Sequence, residues 1–303
     1  MAVVDPTGLS TVVGAAPDDG PGAAPAGGVR PARGLGRLVP IAVVIACGVF
    51  FIFPLIAMAR FALQNVPMVR LGWSTLFDAW SIEGITQAFD EPDFRSSLWL
   101  SVKLAVGTVV LTLALLLPTT LWVHLRLPKA RPFVEFLTVL PYVIPPIALV
   151  AGIIPIKPHA RWFLNSDYSL IPFYTVLALP FTFRAIDAGV RAVDVRTLVD
   201  ASRSLGAGWG TTLRRALIPN LRTAIISSSF LTFAVVLGEF TVSRVLLKQT
   251  LPQFMYVYQQ SEPQGGIGLG LLALVATTAL FALLSLLTRK RGAARPLAGP
   301  TTF

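Results

Sequence analysis

The sequence has few charged residues, few metal-binding residues and no recognisable catalytic motif. Only 13% of its 303 residues are charged, about half the share that is usual in soluble domains. The single cysteine, Cys47, excludes an intrachain disulfide, and two histidines are too few for a metal cluster. Neither a Gly-x-x-x-x-Gly-Lys-Ser/Thr phosphate loop nor a Gly-x-Ser-x-Gly nucleophile motif occurs. We therefore predict that this chain itself holds no cofactor and is not an enzyme.

Apolar residues dominate instead. They make up 54% of the chain, and the mean hydropathy is +0.70. They are concentrated in runs long enough to cross about 30 Å of hydrocarbon at about 1.5 Å of helix per residue. Six such runs predict an all-α, polytopic membrane protein embedded in the lipid bilayer. The predicted spans cover residues 38–59, 97–122, 134–156, 170–183, 223–242 and 265–287.

The distribution of basic residues predicts the orientation of these spans. Most of the 25 lysines and arginines fall in segments that face the cytoplasm if both termini lie there, as basic loops usually do. The net charge of +10 does not indicate a nucleic-acid partner, because the basic residues lie in short loops between apolar runs. Residues 1–36, rich in Gly, Ala and Pro, predict a disordered cytoplasmic tail, and residues 289–303 a basic one. The membrane region between the two tails would be 37–288.

Two features inside the spans predict irregular structure. The third span contains Pro141 and Pro145, and a proline removes a backbone hydrogen bond that only protein or water can replace at membrane depth. These prolines either line a translocation path or mark a kink made for packing. Glu239 is the one acidic residue deep in a predicted span, and a charge at the centre of a span costs about 3 kcal/mol. It is expected either to contact a cationic solute or gate, or to pair with Arg244 or the backbone.

The segment from residue 184 to 222 is basic and too polar to span. One apolar helical face holds Val195, Leu198, Val199 and Leu205. Glycines at 206 and 208 then interrupt the pattern, and a second short apolar stripe runs from Trp209 to Leu217. Pro219 is expected to end this second helix, because proline cannot continue one. The segment therefore predicts a helix, a glycine hinge and a second helix.

The same segment resembles the cytoplasmic EAA loop of permease subunits in binding-protein-dependent ABC importers. That pattern is Glu-Ala-Ala, three residues, Gly, nine residues and Ile-x-Leu-Pro. Its spacing is kept here by Asp200-Ala201-Ser202, Gly206 and Ala216-Leu217-Ile218-Pro219. Ala201, Gly206 and Pro219 match it, whereas Asp200, Ser202, Ala216 and Ile218 are substitutions. The alternative is a helical hairpin lying on the membrane surface beside acidic headgroups.

The resemblance implies that this loop is a coupling helix docked on a cytoplasmic ATPase, which binds ATP and magnesium. The implied contact residues are Asp200, Ala201, Ser202, Leu205, Gly206, Ala207, Gly208 and Pro219. Further partners implied are a second permease subunit, expected to be a paralogue, and an extracytoplasmic solute-binding protein. The implied fold is that of a type I ABC importer permease.

A second resemblance concerns the solute. Gly238-Glu239-Phe240-Thr241-Val242, followed by Thr250-Leu251-Pro252, is similar to the exit of the fifth span in importers of polyamines, iron and phosphonates. Residues 81–102 also resemble the extracytoplasmic segment that leads into the second span of such permeases. Together the three resemblances cover residues 60–287 and imply a permease in a bacterial plasma membrane. They imply uptake of a small polar solute, with polyamine preferred because several acidic residues lie on the predicted outer side, and with ferric iron or phosphonate as alternatives. An ion-coupled secondary carrier would lack an ATPase partner, and a membrane-embedded enzyme would need a catalytic cluster.

Overall fold

The computed structural model describes residues 35–64, 80–156 and 158–292, and in these it is all-α. Residues contact one another mainly within two units, residues 1–53 and residues 54–303. Every site described below lies in the second unit. The helices are α1 (Leu35–Ala62), α2 (Glu83–Asp90), α3 (Pro92–Arg126), α4 (Arg131–Val143), α5 (Pro146–Ala151), α6 (Arg161–Leu164), α7 (Leu170–Ala192), α8 (Val195–Ser204), α9 (Trp209–Thr212), α10 (Ile218–Leu237), α11 (Thr241–Val245), α12 (Leu251–Ser261) and α13 (Pro263–Gly292). A π-helical turn, Leu213–Leu217, joins α9 to α10.

Five helical segments in this part of the chain are long and apolar enough to cross a membrane, and a bent pair can supply a sixth. Five of the six predicted spans are thus confirmed as helices in the predicted order, although several are longer than their apolar runs. The helix α7 extends to Ala192, nine residues into the predicted loop, and α10 begins at Ile218. Of the predicted loop 184–222, residues 193–208 lie between the two membrane-crossing helical segments. The predicted tails lie mostly outside the described residues.

The third predicted span is interrupted, as the prolines inside it predict. It consists of two pieces, Pro128–Val143, which contains α4, and Pro146–Ile156, bent by 84° relative to each other. The cause is the pair Pro145-Pro146, because each proline drives the preceding residue out of the helical region. Accordingly Ile144 has ψ 122° and Pro145 has ψ 135°. Pro141 lies inside α4 without ending it.

The centre of the second unit is formed by α3, α7 and α10, which pack against one another. The face of α3 that enters this contact carries small side chains at helical spacing. They are Ser97, Ser101, Ala105, Thr108, Thr112 and Thr120, all buried. Facing hydroxyls on the other two helices include Thr182 and Thr232, whose Oγ1 atoms lie 2.6 Å apart. Because lipid is as apolar as a leucine side chain, close packing of small residues rather than hydrophobicity holds such helices together.

Two exposed tryptophans on α3 match the dimensions of a bilayer. Trp99 and Trp122 are each 61% exposed and stand 23 positions apart, which corresponds to about 35 Å of helix. The hydrocarbon core is about 30 Å thick, and tryptophan is enriched at both of its boundaries. The helix α3 therefore carries an interfacial anchor at each end of its membrane-crossing part.

At the end of the bundle that carries Trp99, α2 packs against α12 and α13. Gly84 of α2 and Gly265 of α13 bring their backbones so close that a Cβ atom on Gly265 would collide with the Gly84 carbonyl. The Tyr258 hydroxyl donates to that same carbonyl at 2.9 Å. Ala88, Phe254, Tyr258 and Leu269 form the small buried cluster around this contact.

Candidate functional site

The candidate site is the loop at the other end of the bundle, built around α8. The helix begins where its N-cap residue, Asp194, accepts hydrogen bonds from the backbone N–H (3.3 Å) and the hydroxyl (2.6 Å) of Thr197. A side-chain acceptor at this position satisfies one of the free N–H groups of the first turn. The Thr197 hydroxyl is also the main reason that the pKa of the exposed Asp194 carboxyl lies below its ordinary value. Local sequence thus fixes the start of α8.

One face of α8 anchors the helix to the spans. Val195 and Val199 are buried in an apolar cluster with residues of α3, α7 and α10, among them Leu121, Ile186 and Leu221. The Arg196 guanidinium donates to the His124 carbonyl at the end of α3, at 3.1 and 3.3 Å. These contacts hold α8 on three spans at once, so that a force on this helix reaches all three.

The helix ends in a Schellman motif that requires glycine. Gly206 has φ +80°, a left-handed conformation that glycine adopts without penalty. Its N–H donates to the Arg203 carbonyl at 2.9 Å, and the Ala207 N–H donates to the Ser202 carbonyl at 3.0 Å, the two bonds that define the motif. The predicted glycine hinge is therefore a fixed turn. Side chains of Ser202 and Ser204 add hydrogen bonds to carbonyls of Leu198 and Ala201.

The turn presents an uncovered, partly apolar surface. Leu205 is 87% exposed, and a Cβ atom on Gly206 or Gly208 would have no neighbour within 4 Å. Asp200 and Ala201 are exposed on the adjoining face of α8, and Ala207 is half-buried. The predicted apolar face is thus wrong for Leu205, because the helix ends at Ser204 before Leu205 can follow Val199 into the core.

Beside this surface lies an open groove of about 350 Å³ with a basic lining. Arg126, Arg196 and Arg203 contribute its positive charge, and Asp200 lies among them. The Arg203 guanidinium stands 5.3 Å from the centre of the Trp209 ring, within the range of a cation–π contact. An acidic partner surface would complement this groove.

Contrary to the prediction, Pro219 does not end the second helix. It is the second residue of α10, a position at which proline is tolerated, and the helical turn before it runs directly into α10. The preceding π-helical turn, Leu213–Leu217, inserts an extra residue into the helix. This register shift leaves Trp209 exposed while Leu217 is buried, so the apolar stripe predicted at regular α-helical spacing is only partly formed.

A buried cluster of charged residues near α8 was not predicted from the sequence. Asp187 of α7, whose side chain is 3% exposed, pairs with His124 of α3, Arg131 of α4 and Arg191 of α7. Arg131 binds it with both Nε and Nη2 at 2.8 Å, and His124 Nε2 lies 2.8 Å from Oδ1. The four-residue spacing of Asp187 and Arg191 is a local pattern that indicates an ion pair on one helix. Arg131 and His124 stand 56 and 63 positions from Asp187, and no local pattern relates residues so far apart.

The residues predicted for a translocation path lie at two interrupted helices that meet each other. The break at Pro145 precedes α5, and Glu239 lies in the break between α10 and α11. The short helices α5 and α11 pack together through Val150, Val242 and Leu246. Both Glu239 oxygens accept from the Val242 N–H, at 2.9 and 3.1 Å, whereas Arg244 stacks on Tyr256. The expected backbone contact of Glu239 is therefore present, whereas the expected pairing with Arg244 is not formed.

Among the described residues, no three His, Cys, Asp or Glu side chains come together in a way that could hold a metal ion. The charged groups near α8 are organised as ion pairs and as a basic groove. The arrangement is suited to protein contact and to the transfer of movement between helices.

A family profile described as "Binding-protein-dependent transport system inner membrane component" matches residues 117–291, more than half of the chain. Among curated proteins, the molybdenum transport system permease protein ModB of Mycobacterium tuberculosis is 28% identical over 250 residues, which cover 76% of this chain and 87% of ModB. The spermidine/putrescine transport system permease protein PotB of Haemophilus influenzae is 24% identical over 224 residues, covering 65% and 76%.

One solved structure shows the same fold. It is the crystal structure of a bacterial ABC transporter involved in the import of the acidic polysaccharide alginate. The match has a TM-score of 0.64 at 14% identity and covers 84% of this chain and 99% of that one. At this identity the likeness concerns the arrangement of helices alone.

Proposed function

The chain belongs to the family of binding-protein-dependent transport system inner membrane components and is a multi-pass permease subunit of an ABC importer; we propose that its α8 segment is the coupling helix through which an ATPase drives the pore. The observation that carries the proposal is the Leu205 to Gly208 turn. It is uncovered in this chain, yet it follows a helix whose other face is buried against three spans. A partner pressing on this turn would move α3, α7 and α10.

We place this turn, and both chain termini, in the cytoplasm. Support comes from the basic residues around it, including Arg126, Arg196 and Arg203, since cytoplasmic loops carry an excess of lysine and arginine. The predicted contact residues Asp200, Ala201, Ser202, Leu205, Gly206, Ala207, Gly208 and Pro219 are then available to two ATPase subunits in the assembled importer. ATP and magnesium would be held by those subunits.

The second half of the pore is proposed to come from another permease subunit, a paralogue. Within this chain, the path is proposed to pass the junction of α5 and α11. Interrupted helices occur in transporters at solute sites, because their free backbone groups can face a water-lined path. Pro141 and Pro145 would shape the path, and Glu239 would fix the start of α11 beside it.

For the solute, we propose a small tetrahedral oxyanion of the molybdate class. The matched region is longer for the molybdenum permease than for the polyamine permease, 250 against 224 residues. On the proposed outer side, a cavity of about 570 Å³ is lined by Lys103, Ser96 and Gln249. Of the acids that favoured polyamine, Asp93 accepts from Gln249 at 3.3 Å. Asp167, which also lines this cavity, pairs with Lys248 at 3.1 Å.

Polyamine is the second candidate, supported by the similarity to the spermidine/putrescine permease. The two are separated by measuring the thermal shift of the cognate solute-binding protein with molybdate, sulfate, spermidine and putrescine. The complex reconstituted in liposomes is then tested for uptake of the solute that binds. A shift with spermidine alone would overturn the oxyanion assignment. Uptake driven by an ion gradient without ATP, in a preparation that contains no ATPase, would overturn the importer mechanism itself.

A further inference from the structure

The Asp187 cluster connects elements that the proposed mechanism must move together. Arg131 is the first residue of α4, the first half of the broken span. His124 lies in the last turn of α3. Since an ionised carboxylate only accepts hydrogen bonds, His124 Nε2 and the Arg131 guanidinium are the donors. One buried carboxylate on α7 therefore fixes the ends of two other helices.

The cluster also reaches α8. The main-chain carbonyl of His124, whose side chain binds Asp187, accepts both hydrogen bonds from Arg196 of α8. A continuous series of short contacts thus runs from α8 through His124 and Asp187 to Arg131. It joins the helix that would receive movement to the helix that bends by 84° at Pro145.

We propose that Asp187 is the positioning residue that makes α4 follow α8, so that displacement of the coupling helix is delivered to the broken span. This inference rests on the proposed function of α8. Asp187 contacts neither the solute path nor the exposed turn. Its role is to hold Arg131 in a two-bond geometry, which a planar guanidinium and a carboxylate form and a lysine cannot reproduce.

The geometry distinguishes this role from general packing. Thr182, on the same helix as Asp187, makes a buried hydrogen bond to Thr232 of α10, but this bond touches neither α8 nor α4. Loss of either interaction would loosen α7. Of these two interactions, only the Asp187 cluster connects α4 with α8, so Thr182→Val is the matched control for Asp187→Asn.

The test uses the complete complex in lipid nanodiscs: this chain, its pore partner, the ATPase subunits and the binding protein loaded with molybdate. The readout is the ratio of ATP hydrolysis with the loaded binding protein to hydrolysis without it. We expect Asp187→Asn to lower this ratio roughly tenfold, within the usual range of coupling between sites. Thr182→Val should leave the ratio within about twofold of the parent, because it lies outside the series of contacts.

A distance measurement gives a second readout. With Cys47 replaced by Ala and no reactive cysteine in the other subunits, spin labels are placed at Ser204 on α8 and Phe133 on α4, both exposed. The parent should show one narrow distance distribution that ATP does not change, because the two helices move as one body. Asp187→Asn should broaden the distribution and make it respond to ATP, whereas Thr182→Val should not.

The outcomes separate this inference from the proposed function. If the parent complex shows no stimulation by the loaded binding protein, the proposed function fails. If the parent is stimulated and Asp187→Asn keeps both the ratio and the distance distribution, the role of Asp187 is refuted while the proposed function stands. Should Asp187→Asn not insert, Arg131→Lys and His124→Gln carry the test. Each must give a smaller loss in the same two readouts, and parent-like values in both would refute the inference.

Discussion

Replacement of Gly206 separates the stability of the loop from its proposed use. At φ +80°, any other residue has a backbone penalty of about 1–2 kcal/mol. A side chain there would meet no atom of this chain within 4 Å, so no clash is added. Against a typical stability of about 5–15 kcal/mol, both Gly206→Ala and Gly206→Trp should insert and fold. They differ only in how far the new side chain projects from the turn.

The assay is solute-stimulated ATP hydrolysis and uptake by the reconstituted complex. Gly206→Ala should lower stimulation only a few-fold, since its backbone penalty can distort the turn. Gly206→Trp should lower it by at least about tenfold, or 1.4 kcal/mol of coupling, because the indole would occupy the space proposed for the ATPase. Basal hydrolysis by the ATPase subunits measures whether the complex has assembled.

The matched control is Gly210→Trp. Gly210 is exposed in α9, has no neighbour within 4 Å and lies outside the predicted contact residues, so it takes the same bulk without left-handed strain. It should retain stimulation within about threefold, since exposed substitutions that break no contact have small effects. Parent-like transport by Gly206→Trp would refute the assignment of the turn. Equal losses in Gly206→Ala and Gly206→Trp would show that backbone geometry, rather than contact, is what the turn requires.

Further predictions concern two exposed leucines. Leu205→Asp should leave the melting temperature unchanged, because the side chain is 87% exposed. If Leu205 is an anchor buried in the ATPase interface, the same change should weaken co-purification of the ATPase at least about tenfold. Full retention of the ATPase would exclude that role. Leu247 follows α11 as Gly206 follows α8, with a left-handed backbone at φ 56°, and its side chain is 78% exposed. Leu247→Gly should therefore relieve about 1 kcal/mol of backbone strain and raise the melting temperature. An unchanged or lower value would show that the strain is absent or compensated.

The sequence predicted five of the six spans as helices, and the glycines that interrupt the loop, because these features depend on local composition. A span is predicted from an apolar run of about 20 residues, and a helix end from two closely spaced glycines. Neither prediction requires knowledge of the fold. Pro219 was misjudged because proline ends a helix in its interior but begins one in its first turn. Deciding between the two requires knowing where α10 starts, and the preceding π-helical turn hid that start from a search at α-helical spacing.

Asp187 and the bent span show what local patterns cannot supply. From the sequence, Asp187 is one more polar residue in a basic loop. In the structure it is buried, because α7 extends beyond its apolar run and because α3 and α4 supply the partners of Asp187. The prolines of the third span predicted a kink, but the size of the bend follows from two of them being adjacent. Leu205 matched an apolar face that the Schellman motif cuts short. In each case the deciding fact was where a helix ends.

The row of small side chains on α3 has a consequence for how this helix can vary. Ser97, Ser101, Ala105, Thr108 and Thr112 are all buried in the packing of the second unit, so that a larger side chain at any of them would have to displace a neighbour. A saturation scan of α3 should therefore show tolerance with a period of about 3.6 residues. The small face should accept other small residues, whereas the exposed positions of the same helix should accept any apolar side chain. Along α3, neutral sequence drift would be confined to the half that faces lipid.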